Sequence, residues 1–414
     1  MEELKILLKN IHKDESKKLE TYISGGGYEA LQKALSKKPD DIVETVKKSG
    51  LRGRGGAGFP AAVKWNFIPR DCSQPVYLIA NADEGEPGTF KDHILMEKDP
   101  HLLIEGMLIA GYAVHSFQGF IYIRGEFAEI AQILEQAIAE ARQAGYLGKN
   151  ILKSGFNFDI NVYRGAGSYV CGEETALIES LEGKRGQPRL KPPYPAASGL
   201  YGSPTVVNNV ETLACLPFIV REGPERFASI GIPGNTGTKL FCISGEVNKP
   251  GCYEFPLGVP LLNLVYDVAG GIRGDRKLKA VIPGGLSTPV LSAREADVLM
   301  DFDSLAAAGT MLGSAGVIVL SENASIPEIA LRTARFYANE SCGQCTPCRE
   351  GTGKLRLLLE RIFLGSGEAD DIRRIMKICT SLKGISLCPL GDAAFLPIFN
   401  FVEKFHGEFE ALIR

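Results

Sequence analysis

Apolar and polar positions change their spacing along the chain, and each change predicts a change of element. Two short helical patterns come first, around Tyr28 to Ala34 and from Asp40 to Lys48, the second opened by Pro39-Asp40. After a glycine-rich stretch, Arg52 to Gly58, strands and helices alternate as far as about Ile230. Val76–Ala80 is β-rich, Pro100–Val114 helical, Gly119–Arg124 a strand and Ala128–Ala144 helical. Phe156–Tyr163 is predicted as a strand from the period-two recurrence of Phe156, Phe158, Ile160 and Val162, and a helix follows from about Thr175 to Glu182. Such alternation predicts a layered α/β domain. Between about Gly231 and Ser321 the pattern becomes a hairpin, Lys239–Ser244 and Gly251–Phe255, then a helix at Leu261–Val268 and a strand at Leu278–Pro283, as in a small β-grasp (ubiquitin-like) α+β module. From Ile326 the apolar positions recur at helical spacing in Leu355–Phe363, Ile372–Ile378 and Ala394–Phe405, which predicts a C-terminal helical bundle. The expected multi-domain division is 1–61, 62–230, 231–322 and 323–414.

Composition narrows the function classes. A net charge of −3, with 45% hydrophobic and 23% charged residues over 414 positions, describes globular domains without a basic nucleic-acid surface. The most apolar stretch, Leu102 to Ile123, is broken by Glu105, His115 and Gln118, so direct membrane insertion is not expected. Met1 to Glu20 is rich in Lys and Glu and lacks an apolar core of the kind a secretory signal needs, so a reducing, cytoplasmic setting is expected. The ten cysteines are thinly spread except at one place.

That place is Cys342-Gly-Gln-Cys345-Thr-Pro-Cys348, where thiolates recur at three-residue steps on one turn. A [4Fe–4S] cluster needs a fourth thiolate, and Cys379 and Cys388 lie downstream. Cys388 is favoured because it precedes Pro389 in irregular backbone, whereas Cys379 lies inside a helical pattern. Zinc is the alternative, but zinc sites commonly pair C-x-x-C knuckles, and three-plus-one spacing suits a cubane.

Gly53-Arg54-Gly55-Gly56-Ala57-Gly58 satisfies G-x-G-x-x-G, yet the segment before it reads as helix and not strand, so the dinucleotide fingerprint lacks its context. The loop still exposes main-chain N–H groups, and Arg52, Arg54 and Lys64 supply positive charge for an anion. Asn81, Asp83, Glu84 and Glu86 follow the strand at Val76–Ala80, at the edge where open α/β sheets bind ligands, and their carboxylates suit ribose or ribityl hydroxyls. A second glycine turn, Arg164 to Gly172, precedes Glu173, Glu174 and a helix. The basic, proline-stiffened stretch Lys184 to Pro195 includes Lys191 and Tyr194, and Val207-Asn208-Asn209 enters another helix as a candidate phosphate cradle.

These segments in this order resemble the flavoprotein (51-kDa, or F) subunit of respiratory complex I, NADH:quinone oxidoreductase, over nearly the whole chain. The resemblance rests on Leu51–Lys64, Asn81–Asp92, Gly165–Ser180, Lys191–Thr212 and Glu340–Gly351. It implies a Rossmann-like domain in which FMN is held by Gly53, Arg54, Gly55, Gly56, Lys64, Asn81, Asp83, Glu84, Gly172, Glu173, Glu174, Val207, Asn208 and Asn209. It further implies NADH as substrate, bound by Phe59, Phe67, Glu86, Tyr169, Glu174, Lys191 and Tyr194, and a [4Fe–4S] cluster on Cys342, Cys345, Cys348 and Cys388. Hydride would pass to the flavin and single electrons to the cluster. Partners implied are a thioredoxin-like [2Fe–2S] subunit and a larger ferredoxin-domain iron–sulfur subunit, at the cytoplasmic face of the membrane. The same module occurs as the diaphorase part of NAD-linked hydrogenases, formate dehydrogenases and electron-bifurcating complexes; a zinc-stapled scaffold is the reading from another class. Ser168 departs from the family pattern but removes no ligand.

Overall fold

The computed structural model describes residues 3–69 and 74–413. Four strands, β1 (Val76–Ala82), β2 (Ser116–Ile123), β3 (Asp159–Arg164) and β4 (Thr205–Asn209), form an all-parallel sheet in the order β3-β2-β1-β4. Parallel strands need crossover connections, and the chain runs outward from β1 through β2 to β3 before returning to the other side of β1. The order reverses between β1 and β4, and ligands of such sheets bind outside the carboxyl ends of the strands at that point.

Helices cover both faces, which explains why the strands are apolar runs and not clean alternations. Leu78, Ala80, Ile121 and Val206 pack into one core with helices α1 (Pro39–Ser49), α2 (Ala61–Trp65), α3 (Lys91–Lys98), α4 (Pro100–Ala113) and α5 (Ala128–Gln143). Ile79, Tyr122 and Val207 face the other way, onto α6 (Glu174–Leu181) and the C-terminal helices. The third strand starts at Asp159 and not at Phe156 as its periodicity predicts. Phe158 instead bridges Gly148, and the Phe156 ring packs edge-on to Tyr112, so tertiary contacts outside the sheet produce that part of the period.

Residues between Phe241 and Val319 gather around a core of their own. Strands β5 (Thr238–Gly245), β6 (Gly251–Pro256), β7 (Leu278–Ile282), β8 (Leu291–Ser292) and β9 (Gly316–Ser321) make a five-stranded sheet in the order β8-β7-β9-β5-β6. β5 and β9 lie side by side and parallel in its middle, and β5 and β6 form the expected antiparallel hairpin. The helix expected at Leu261–Val268 is Leu261–Asn263 running into a π-helical turn, Leu264–Val268. Glu254 on β6 accepts from the amides of Ile6, Leu7 and Leu8, which straps the N-terminal segment to this module.

The C-terminal region is the helical bundle the spacing predicts: α7 (Ile326–Glu340), α8 (Thr346–Phe363), α9 (Ala369–Leu382) and α10 (Leu390–Lys404). Its buried Leu355, Ile375, Phe395 and Phe401 belong to the same core as Ile79 and Leu177, so the bundle packs against the sheet domain through continuous apolar contact. Among the described residues no helix is long and apolar enough to cross a membrane.

Candidate functional site

At the reversal point β1 and β4 end side by side, with Asn81 paired in register with Asn209. The glycine-rich loop comes down on this edge between α1 and α2. A Cβ on Gly55 would stand 3.0 Å from that of Asn209, while one on Gly56, where φ is +144°, would meet nothing within 4 Å. Residue 55 therefore needs glycine for close approach, and the backbone at 56 faces open space. Asn208 is held from beside the loop, its Oδ1 accepting from Trp65 Nε1 at 2.9 Å. Val207 is buried in the core, so only its backbone is offered to a ligand.

The positive charge expected of the loop is largely spent inside the protein. Arg54 is fully buried and donates to the carbonyls of Arg52, Thr236 and Thr238. Arg52 donates to Gly58 O and Asn235 Oδ1 and pairs with Asp303. The arginines hold the loop's shape, and of the three cations expected to face an anion Lys64 is left, 2.6 Å from Glu174. The expectation for the two arginine side chains is corrected on a physical ground: buried guanidinium donors must be met, and carbonyls of the loop and of Thr236 and Thr238 meet them first.

The acidic turn after β1 divides its carboxylates between two tasks. Glu84 accepts from the amides of Asp92 and His93 and so caps the start of α3. Burial raises its pKa, but His93, Lys91 and those two amides outweigh the effect and keep it low. Asp83 is the opposite case. The residue is half-buried, its enclosed Oδ2 has no hydrogen-bond partner among the described residues, and loss of hydration pushes its pKa up to about 7. An orphaned carboxyl oxygen beside Gly172 suits a ligand hydroxyl. Asn81 Nδ2 donates to Gly172 O at 2.9 Å, closing the second glycine turn over the same edge.

A pH prediction follows for the ligand-free chain. The folded pKa of Asp83 lies above its unfolded value of 3.8, so the unfolded state ionises first. Stability falls as pH rises from about 4 to about 7, and is flat above. Asp83→Asn keeps the shape and removes the charge. It should stabilise the apo chain on the order of a few kcal/mol at pH 8 and by almost nothing at pH 4. Urea melts at both pH values measure this; equal shifts at the two would contradict it.

On the far wall, Glu173 caps α6 through the amides of Thr175 and Ala176 and receives Lys191 Nζ at 2.6 Å. Lys191 also lies 3.7 Å from Glu174, so Lys64, Glu174, Lys191 and Glu173 form an alternating chain of charge. Glu86 is gripped by Tyr169 Oη at 2.7 Å and by Ser287 N at 2.7 Å, and burial raises its pKa. Phe59 and Phe67 are 47% and 58% exposed with ring centroids 6.1 Å apart, an uncovered aromatic pair beside the glycine loop. Tyr194 is 59% exposed.

Cys342, Cys345, Cys348 and Cys388 line one small cavity, and Cys379 does not reach it. The first two lie on the turn between α7 and α8, Cys348 in the first turn of α8, and Cys388 just before α10. Four thiols converging on an apolar cavity fit a group held by four thiolates. Val170 and Pro188 also line it. The 3-10 turn Tyr169–Gly172 is thus shared: Val170 faces the thiols, Tyr169 holds Glu86, and Gly172 binds Asn81.

Sequence reasoning missed the buried ionic cluster beneath Asn209, made by Lys91, Asp92, Glu211 and Lys239. Nothing in a single sequence marks a lysine as buried; the one available signal was Lys91-Asp92 adjoining the acidic turn.

Residues 46–217 match the family described as the Nuo51 FMN-binding domain, 239–319 an SLBB domain, and 328–412 the NADH-ubiquinone oxidoreductase-F iron-sulfur binding region. The F 2 subunit of the NADH-quinone oxidoreductase of Rhizobium meliloti (strain 1021) is 54% identical over 410 residues, covering 99% of this chain and 97% of that protein. The F subunit of the same enzyme in Rickettsia bellii (strain OSU 85-389) is 49% identical, covering 98% of each. Among solved structures, a chain of an NAD+-reducing [NiFe]-hydrogenase in the H2-reduced state superposes with a TM-score of 0.87 at 37% identity; it covers 99% of this chain, which spans 66% of that one.

Proposed function

Because this chain belongs to the family of NADH-quinone oxidoreductase F subunits, NADH-oxidising flavoproteins with an FMN-binding domain and an iron–sulfur region, we propose a residue-level division of its site. FMN lies at the edge between β1 and β4, its phosphate toward the amides of residues 53–56 and Lys64, its ribityl hydroxyls toward Asp83 and Asn81, with Gly172, Glu173, Glu174, Asn208 and Asn209 closing the site. NADH is held by Glu86, Tyr169, Lys191 and Glu174, with its adenine end on Phe59, Phe67 and Tyr194. The cluster is bound by Cys342, Cys345, Cys348 and Cys388. When bound, the flavin supplies a two-electron hydride acceptor and the cluster a one-electron carrier. The protein's residues stack, orient and screen.

The shared turn Tyr169–Gly172 is the observation that carries this reading: within four residues, Gly172 meets Asn81 at the switch-point edge and Val170 lines the thiol cavity. Two electron carriers on either side of one short turn suit a relay. The assembly is multi-subunit, and we place a thioredoxin-like [2Fe–2S] subunit and a ferredoxin-domain subunit beside this one, at the cytoplasmic face of the membrane. The hydrogenase likeness makes a diaphorase role the second reading, though the quinone-oxidoreductase relatives match end to end and the hydrogenase chain is longer.

The purified chain, reconstituted with FMN, iron and sulfide, should show a flavin spectrum and a cubane EPR signal, and should reduce ferricyanide from NADH. It should not reduce quinone without partners. Quinone reduction by the single chain would overturn its role as an entry module, and a colourless chain without flavin affinity would overturn the site.

A further inference from the structure

Three of the segments assigned above to the nucleotide site, the glycine loop, the acidic turn and the end of β4, are anchored on their inner side to the β-grasp module. The glycine loop reaches it through Arg54, whose guanidinium binds Thr236 O and Thr238 O at 2.7 and 3.2 Å. The acidic turn reaches it at four successive points. Glu86 Oε1 accepts from Ser287 N at 2.7 Å, and Leu286 N donates to Pro87 O at 3.2 Å. The Thr89 and Ser314 hydroxyls bond directly, and Phe90 N lies 3.2 Å from Cys242 Sγ. Packing there leaves no slack: a Cβ on Gly88 would stand 2.9 Å from Ile318, and one on Gly316 would stand 2.8 Å from Gly88 O.

The third anchor is ionic. Asn209 has both ends of its amide fixed, Nδ2 donating to Asp92 Oδ2 at 2.7 Å and Oδ1 accepting from Glu211 N at 3.0 Å. Glu211 Oε1 accepts from Leu240 N, while Oε2 binds Lys91 and Lys239. Lys239 stands on β5, at 0% exposure, and projects from the β-grasp module into the sheet domain. The buried charges around it alternate in sign, Arg54, Lys91 and Lys239 lying among Glu84, Asp92, Glu211 and Glu254. Buried charge on a module's outer face is costly unless it meets a partner, so its position reports a fixed docking geometry and not incidental packing.

We propose that the β-grasp module positions the nucleotide-facing loops of the neighbouring domain, and that Lys239 is a positioning residue which sets Asn209 through Glu211, Lys91 and Asp92. The proposal rests on the reading of Asn209 and Glu86 as site residues and assigns the module a task in the known reaction. Lys239 touches no ligand; its ammonium holds the Glu211 carboxylate, which holds Lys91, and Lys91 holds the Asp92 carboxylate that accepts from the Asn209 amide. A displacement of Asn209 or of the acidic turn changes how flavin and nicotinamide meet, and small misplacements at such sites carry large kinetic effects.

Two variants test this in the intact assembly carrying the full chain. Lys239→Met with Glu211→Gln removes one charge of each sign and leaves the net buried charge unchanged. Thr89→Val with Ser314→Ala removes the hydroxyl contact on the other side without touching any charge. In each, NADH:ferricyanide kcat/KM should fall about tenfold or more, chiefly through KM. The flavin midpoint potential and the visible circular dichroism of bound flavin should shift, while the cluster EPR signal stays as in the parent. Lower melting temperature with parental potential, dichroism and KM would mean support without positioning, and would overturn the proposal. Should the Lys239 variant fail to fold, the Thr89/Ser314 variant decides on the same readouts. Failure of the parent chain itself to bind FMN would instead strike the site reading, with no variant needed.

Discussion

Replacing Cys388 with Ala should abolish the cluster, whereas Cys379→Ala should leave iron content and EPR signal unchanged. Both are downstream cysteines in a helical region, and their environments differ in kind. Cys379 is 3% exposed within α9, packed in the bundle core, and shares no cavity with the Cys342 turn. Cys388 sits ahead of α10 and faces Cys342, Cys345 and Cys348 across the same cavity. Loss of one thiolate from a site of four removes a bond that the apolar lining cannot replace. Cys379→Ala removes one buried sulfur from a core and should cost only modest stability, on the order of 1 kcal/mol. Iron and sulfide analysis of the two variants, with the parent beside them, settles the assignment. A full cluster in Cys388→Ala would defeat it. Zinc in place of iron in the parent, with no visible absorption, would instead support the scaffold reading.

The contrast between these cysteines shows which features a single sequence exposes. Period-two and helical spacing located most elements, because burial of one face is what the spacing encodes. The alternation behind the parallel sheet, the hairpin at Thr238–Pro256 and the bundle are therefore legible in the order of residues alone. Spacing failed where aromatic side chains serve loop packing, as at Phe156 and Phe158, whose alternation looks like a strand and belongs to contacts with Tyr112 and Gly148. It also could not say which charges are spent internally. Arg54 looks like a phosphate ligand in sequence, and the fold points its donors at three carbonyls. Glu84 and Asp83 are adjacent and chemically alike, yet one caps a helix and the other is left with an unpaired oxygen. Such differences depend on what lies across the chain from each residue, and that information is tertiary.

Neutralising Glu174 should relax nucleotide choice more than any other single change in the site. Its carboxylate stands 2.6 Å from Lys64 and 3.7 Å from Lys191, and although burial raises its pKa, those lysines outweigh burial and keep it ionised. An extra phosphate on the adenine ribose would meet this negative charge, and like-charge contacts at interfaces cost several kcal/mol. Glu174→Gln removes the repulsion while Lys191 stays bound to Glu173. We expect the ratio of kcat/KM for NADPH over NADH to rise by about 10- to 100-fold, with most of the change in the NADPH term. Steady-state rates with ferricyanide as acceptor measure it directly. Glu86 and Glu173 are the other carboxylates assigned to this wall, and each is already committed, Glu86 to Tyr169 and Ser287 and Glu173 to the start of α6. An unchanged ratio in Glu174→Gln would move discrimination to one of them. Glu86→Gln would then separate the two, because its hydrogen bonds lie on the acidic turn and not on α6.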